Sequence, residues 1–316
     1  MRKRLLVGIP LALLIIALLL VDAWLSARPA PQWRVPLLGH NLAAWLTNGA
    51  LCAAIVLVLT VAATHELVRL AQARGYRPFG RTAQFFAAVL VLGPYISFNV
   101  QDVTGGYDES WGLLWMAFAV AFAFLQQAWR HRTTNAMENL AITLFIIFYA
   151  GGLAGFMTKL RMEVGAAAGV AVLLFSFFLV KMTDTGAYFT GRLLGRHKMI
   201  EWLSPKKTWE GFVGGMLVTV ICALAIGHWL HVSGIARIGE RYVSHYVALG
   251  LLGVLLGLFS AAGDLCASLL KRDAAVKDSG DALPGLGGVL DVFDSPLLAA
   301  PVAWLFWTRL FHVVAQ

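Results

Sequence analysis

Ser268–Ser295, SLLKRDAAVKDSGDALPGLGGVLDVFDS, stands between two apolar runs, near 246–265 and 296–311, and sets three cations and five aspartates in that interval. Each flanking run has roughly the length needed to cross a ~30 Å hydrocarbon core. Charge this dense between two such runs marks a membrane edge, and charges there tend to mark functional sites. One turn back, Asp264 joins Ser268, Lys271 and Arg272 at i, i+4, i+7 and i+8, a spacing that predicts one shared helix face. Lys277 and Asp278 follow. Pro284, Gly285, Gly287 and Gly288 then break the helix and let backbone approach a ligand. Asp291 and Asp294 stand at i, i+3. Carboxylates without His or Cys partners suit a hard, oxygen-seeking ion such as Mg²⁺, and adjacent Lys and Arg suit phosphate. The plainer reading, topology anchors plus turn chemistry, explains single residues here but not their joint density.

The rest of the chain has the composition of a membrane protein. Of 316 residues 59% are hydrophobic and 13% charged, and the mean hydropathy is +0.74. The expected fold is an all-α polytopic membrane protein of about nine transmembrane helices. The spans fall near 5–25, 44–63, 82–100, 111–129, 140–157, 164–180, 212–230, 246–265 and 296–311. Basic Met1–Arg4 ahead of the first run could open a signal peptide, but the run is long and lacks a small-x-small cleavage site, so a retained span is expected. Most of the 25 Lys and Arg residues fall in loops on one side. By the positive-inside pattern that side, and with it the N-terminus, is cytoplasmic. The net charge of +8 could suggest nucleic acid, yet the cations flank apolar segments, so no nucleic-acid partner is expected. Cys52, Cys222 and Cys266 show neither disulfide-framework nor zinc spacing. Residues 1–180 read as N-terminal transmembrane helices, about six spans, and 181–316 as a catalytic membrane region with cytoplasmic loops 181–210 and 266–295.

A second informative stretch is Lys181–Gly215, KMTDTGAYFTGRLLGRHKMIEWLSPKKTWEGFVGG. Asp184 directly follows an apolar run, where a carboxylate must be solvated, paired or metal-bound. Ser204, Pro205, Lys206, Lys207 and Thr208 form a compact cationic turn ahead of a new helix, which suits an anion. The competing reading is a lipid-headgroup anchor with Trp202 and Trp209 at the interface.

Together, DTGAYFTGRLLGRHK, SPKKTWEGFVGG and S-x-L-K-R-x4-K-D-x-G-x2-L-P-G-x-G-G-x-x-D-x-x-D resemble the phosphatidate cytidylyltransferase (CDP-diacylglycerol synthase) family across Lys181–Ser295. The resemblance implies Mg²⁺-dependent transfer of cytidylyl from CTP to phosphatidate, releasing pyrophosphate. It implies an integral protein of a bacterial inner (cytoplasmic) membrane with its site facing the cytoplasm, and is compatible with a homodimer and with a second, monovalent cation. The family's metal-binding acids match Asp264 and Asp291, and its signature cations match Lys271, Arg272 and Lys277. Asp264, Lys271, Arg272 and Asp291 are therefore the expected catalytic residues. Asp184, Ser204, Lys206, Lys207, Thr208, Ser268, Lys277 and Asp278 are expected to contact substrate, and Asp294 is a further candidate for the metal. Two positions depart from the family pattern: Leu286 stands where P-G-H-G-G has His, and Val292 where D-R-x-D has Arg. Rival readings are a CTP-dependent kinase or cytidylyltransferase acting on another lipid, such as a polyprenyl substrate, and an anionic-solute transporter.

Overall fold

The computed structural model describes residues 2–28, 36–37, 40–100, 110–235 and 244–310. Among them nine helices are long and apolar enough to cross a membrane. They are α1 (Arg2–Ser26), α2 (Ala50–Ala73), α3 (Gly80–Asn99), α4 (Trp111–Arg130), α5 (Ala136–Val164), α6 (Ala166–Leu194), α7 (Trp209–Val232), α8 (His245–Asp273) and α9 (Leu290–Leu310). In α5 the segment Ile147–Gly152 is a π turn, and α9 ends in another, Phe306–Leu310. An antiparallel hairpin, Lys198–Ile200 against Ser204–Thr208, joins α6 to α7. The expected all-α polytopic fold is thus the one observed.

Two helices run further than hydropathy alone suggests. α6 continues through Lys181 and Asp184 to Leu194, and α8 continues to Asp273. The loops expected at 181–210 and 266–295 shrink accordingly to 195–208 and 274–289, and the division at 180/181 falls inside a helix. The reason is local hydrogen bonding, to which a hydropathy window is blind. The Thr183 hydroxyl donates to the Leu179 carbonyl and pairs with Thr219, and the Thr185 hydroxyl donates to the Lys181 carbonyl, so polar side chains are satisfied without leaving the helix.

Packing follows the small residues. α6 packs on α7, α7 on α8 and α8 on α9, while α2, α3 and α5 form a second group that meets α9. Lipid tails are as apolar as Leu, so close backbone approach rather than hydrophobic burial holds such helices together. A β-carbon added to Gly186 on α6 would stand 3.1 Å from the Gly215 Cα on α7. One added to Gly263 on α8 would stand 2.8 Å from the Ser295 Cα on α9. The second contact brings Asp264 and Asp294, the neighbours of those two residues, to one crossing point.

Candidate active site

The two motif stretches meet at one cleft. Its wall includes Thr183, Asp184 and Tyr188 of α6, Ser204, Lys206, Lys207 and Thr208 of the hairpin, and Asp264 of α8, around a volume of about 290 Å³. Lys207 Nζ lies 2.8 Å from Asp264 Oδ2, and Lys181 Nζ lies 3.6 Å from Asp184 Oδ2. The Ser260 hydroxyl donates to the Val180 carbonyl and lies 3.5 Å from Asp184 Oδ1. The electrostatic neighbours of Asp184 include Lys181, Asp264 and Lys207, and those of Asp294 include Asp264, Lys181 and Lys271. Asp184 of α6, Asp264 of α8, 80 residues further on, and Asp294 of α9 therefore share one field with Lys181, Lys207 and Lys271. Thr208 caps α7, its hydroxyl accepting from the Gly211 amide at 3.1 Å. Glu210 accepts from the Arg196 and His197 amides and contacts His197 Nδ1 at 2.6 Å, which closes the hairpin base.

The signature loop 274–289 is held by two carboxylates. Asp291 Oδ1 receives Lys271 Nζ at 2.6 Å, and its Oδ2 accepts from the Ser279 amide, the Ser279 hydroxyl and the Gly288 amide at 2.9, 3.1 and 2.9 Å. The other carboxylate is Glu66, from the middle of α2. It is only 4% exposed, and it accepts from the Ser279 hydroxyl at 2.6 Å and from the Val289 and Leu290 amides at 2.7 and 2.9 Å. Those amides belong to the first turn of α9, where helical N–H groups lack intrahelical partners and favour negative charge. Gly288 must be glycine here, because a β-carbon would collide with Glu66 and Ser279. Gly287, at φ +95°, takes a backbone conformation that side-chain-bearing residues rarely adopt.

Apart from Ser268, which is half-buried on α8, the expected site residues separate into three groups in space. Asp184, Ser204, Lys206, Lys207, Thr208 and Asp264 line the cleft, and Asp294 is buried next to it. Lys271 and Asp291 pair with each other, and both tie the loop to α8. Arg272, Lys277 and Asp278 are exposed, and the Arg272 guanidinium donates to the Val276 carbonyl at 3.1 Å. The common face expected for Asp264, Ser268, Lys271 and Arg272 therefore does not hold as one functional surface, since Lys271 turns inward and Arg272 outward. The Ser295 amide and hydroxyl both donate to Asp294 Oδ1, the amide at 2.6 Å.

Two residues in this neighbourhood were not singled out from sequence as site residues. Glu66 carried a signal, a carboxylate beside His65 and Arg69 where the apolar run of α2 gives way to charge. Tyr149 carried none. It lies in the π turn of α5, its hydroxyl is buried with no hydrogen-bond partner among the described residues, and its electrostatic neighbours include Asp294 and Asp264. π turns are frequent at functional sites.

Comparison with known proteins now bears on these features. The model of the cytidylyltransferase family matches residues 32–310. The chain belongs to that family. The phosphatidate cytidylyltransferase of Staphylococcus saprophyticus is 37% identical over 187 residues, 58% of this chain and 65% of that protein. That of Haemophilus influenzae is 34% identical over 203 residues, 63% of this chain and 66% of that protein. The chain thus spans just under two thirds of the length of these relatives.

A cytidylyltransferase implies a divalent cation, and the donor chemistry fits one. Asp264 and Asp291 each hold a lysine ammonium, at 2.8 and 2.6 Å, where a metal cation could exchange for it. Among the described residues no three His, Cys, Asp or Glu side chains form a cage. Mg²⁺ commonly needs none, because it binds through one or two carboxylates and completes its shell with water and substrate phosphate. The Tyr149 hydroxyl, with no partner among the described residues and with Asp294 and Asp264 among its electrostatic neighbours, could offer a further oxygen to waters there.

The two positions that depart from the family pattern are accommodated by contacts of their own. Leu286 Cδ1 lies 3.3 Å from where a β-carbon on Gly8 would stand, so this side chain packs against α1. Val292 contributes its carbonyl, which accepts from Lys181 Nζ at 3.1 Å. Any residue at 292 supplies that oxygen.

Proposed function

We propose that the chain transfers the cytidylyl group of CTP to phosphatidate, yielding CDP-diacylglycerol and pyrophosphate. The observation that carries this reading is the cleft that gathers Lys206 and Lys207 with Asp184 and Asp264, each in the second half of a membrane helix. Family membership and the names of the relatives above support it. By the asymmetry of its loop cations the site faces the cytoplasm, where CTP is, in a bacterial inner membrane.

Charge sets the mechanism. Phosphatidate and CTP are both anions, so repulsion must be neutralised before a phosphatidate oxygen can reach the α-phosphorus. Lys206 and Lys207 face the cleft and bind phosphate oxygens, and Lys207 can leave Asp264 to do so. Asp264 and Asp291 are the residues that would hold Mg²⁺, with Asp184 and Asp294 beside them. When bound, that ion polarises the phosphoryl oxygens and offsets charge on the pyrophosphate leaving group. Phosphatidate is already ionised near neutral pH, so no general base is assigned. Tyr188, Phe189 and Trp209, exposed by the cleft, offer an apolar border along which acyl chains remain in lipid.

The test is CTP-dependent release of pyrophosphate by purified protein, with parallel reactions containing phosphatidate, a polyprenyl alcohol or a polyprenyl phosphate. Product from phosphatidate, abolished by chelation and restored by Mg²⁺, is expected. Transfer to a polyprenyl acceptor alone would overturn the substrate assignment.

A further inference from the structure

A second cavity opens on the face that carries the signature loop, and it is built differently from the catalytic cleft. The Arg74–Asp273 ion pair, at 3.4 Å, ties the end of α2 to the end of α8 and fixes the two features on one side. The cavity encloses about 370 Å³ between the α2–α3 turn and the end of α4. Arg77, Arg81 and Arg130 line it, together with His131, Gln72 and Tyr76, and among the described residues no Asp or Glu does. Its floor is Pro78 and Phe79, both buried, and the Phe79 ring stacks on His131 at 5.7 Å between centroids.

Four cations near this face are paired with acids, whereas others, Arg272 and Lys277 among them, stand exposed. Lys181, Lys207 and Lys271 each hold a carboxylate, and Arg74 holds Asp273. Arg77, Arg81 and Arg130 have no ion-pair partner among the described residues. All three are exposed, so water and salt screen their mutual repulsion, but three guanidiniums lining one cavity still make a field that favours an anion. Guanidinium is also the side chain best shaped to grip phosphate through paired N–H donors. The first turn of α3, whose N-terminus has no side-chain cap, adds its positive end at Gly80 and Arg81. Trp129, 91% exposed beside Arg130, places the rim at the depth where interfacial tryptophans meet headgroups.

We propose that this cavity is a second phosphate-binding site, separate from the catalytic cleft, that takes the phosphate of an anionic lipid headgroup. The basic pockets between helices that hold anionic headgroups have the same make-up. Its natural occupant is lipid rather than free phosphate, because the rim lies at headgroup depth and its floor is apolar. Nothing in the proposal depends on the transfer reaction.

The probe is phosphatidylglycerol, an anionic phosphodiester with no phosphomonoester for cytidylyl transfer. Its binding to full-length wild type and to the Arg81→Gln/Arg130→Gln variant is measured in nanodiscs by native mass spectrometry and by the shift in Tm. Phosphatidylcholine serves as the zwitterionic control. Wild type should retain phosphatidylglycerol over phosphatidylcholine, and the double variant should bind it at least about tenfold more weakly, the scale of one lost charge-assisted contact. CTP-dependent turnover should be unchanged, which also shows that the variant is folded. If the double variant does not fold, Arg130→Gln alone should show the same loss. Displacement of the lipid by millimolar inorganic phosphate would support the phosphate site and show that free phosphate shares it. Equal retention of phosphatidylglycerol by wild type and variants, or no preference over phosphatidylcholine, overturns the proposal.

Discussion

Two ion pairs at opposite ends of the bundle are made of similar groups and do different work. At one end, Arg161 Nε lies 2.9 Å from Asp22 Oδ2, with side-chain exposures of 1% and 2%. Its other nitrogens donate to the Ser26 hydroxyl and the Gly165 carbonyl, while Asp22 Oδ1 accepts from the Leu51 and Cys52 amides. Every charge is spoken for, and α1, α2 and α5 are pinned together. At the other end, Lys207 and Asp264 meet at 2.8 Å but remain 26% and 38% exposed, on the wall of a cleft. Gly8 packs near the signature loop and Asp22 lies 14 residues on along α1, a rise of about 21 Å, which sets the two pairs on opposite sides. A buried pair with all its hydrogen bonds made is a brace. A half-exposed pair can trade its cation for a metal and its anion for a phosphate, and that exchange is what phosphoryl chemistry needs.

The comparison breaks first at Asp264. Asp264→Asn should lower CTP-dependent pyrophosphate release on the order of a hundredfold or more with little change in Tm. Near-normal turnover would remove Asp264 from the chemistry. The converse holds at the brace: Asp22→Ala leaves Arg161 buried and unpaired, costing about 3 kcal/mol or more. A lower Tm in detergent is expected, with the surviving folded fraction active per molecule. A selective loss of kcat at unchanged Tm would show that the brace is part of the site.

Glu66 tests the boundary between the two kinds. It is buried like Asp22 yet anchors the signature loop, so Glu66→Gln should both lower Tm and cut kcat/KM about tenfold, with faster proteolysis within 274–289. A variant that loses stability alone would place Glu66 with the brace. The smallest effect is expected at Leu286, which packs on α1. Leu286→His should change turnover less than about threefold, well below one charge-assisted contact, and a large gain would reveal a missing functional group in the wild type.

The fold was readable from sequence because a membrane imposes one rule on every segment. A run must be apolar and about 20 residues long to cross, so span number follows from hydropathy, and the nine helices appear where the apolar runs lie. Three residues that line the cleft also stood out in the sequence, since Asp184, Lys207 and Asp264 are costly at a membrane edge without a purpose. Helix ends were not, because the Thr183 and Thr185 hydroxyls bond to carbonyls of their own helix and carry α6 past its first charge.

Composition and spacing determined that this is a polytopic helical protein with two charged segments on one face, since cost per residue in hydrocarbon is a local property. Which carboxylate meets which lysine was decided only by the tertiary structure. Helix spacing grouped Asp264 with Lys271 and Arg272, but Asp264 pairs with Lys207 from the hairpin, and Lys271 pairs with Asp291. Glu66, more than 200 residues before the loop it holds, was likewise visible as a charge but not as a partner. Pairing depends on the distance between side chains, and distance across the bundle is set by glycine crossings such as that of Gly263 of α8 against Ser295 of α9, which no spacing along the chain encodes.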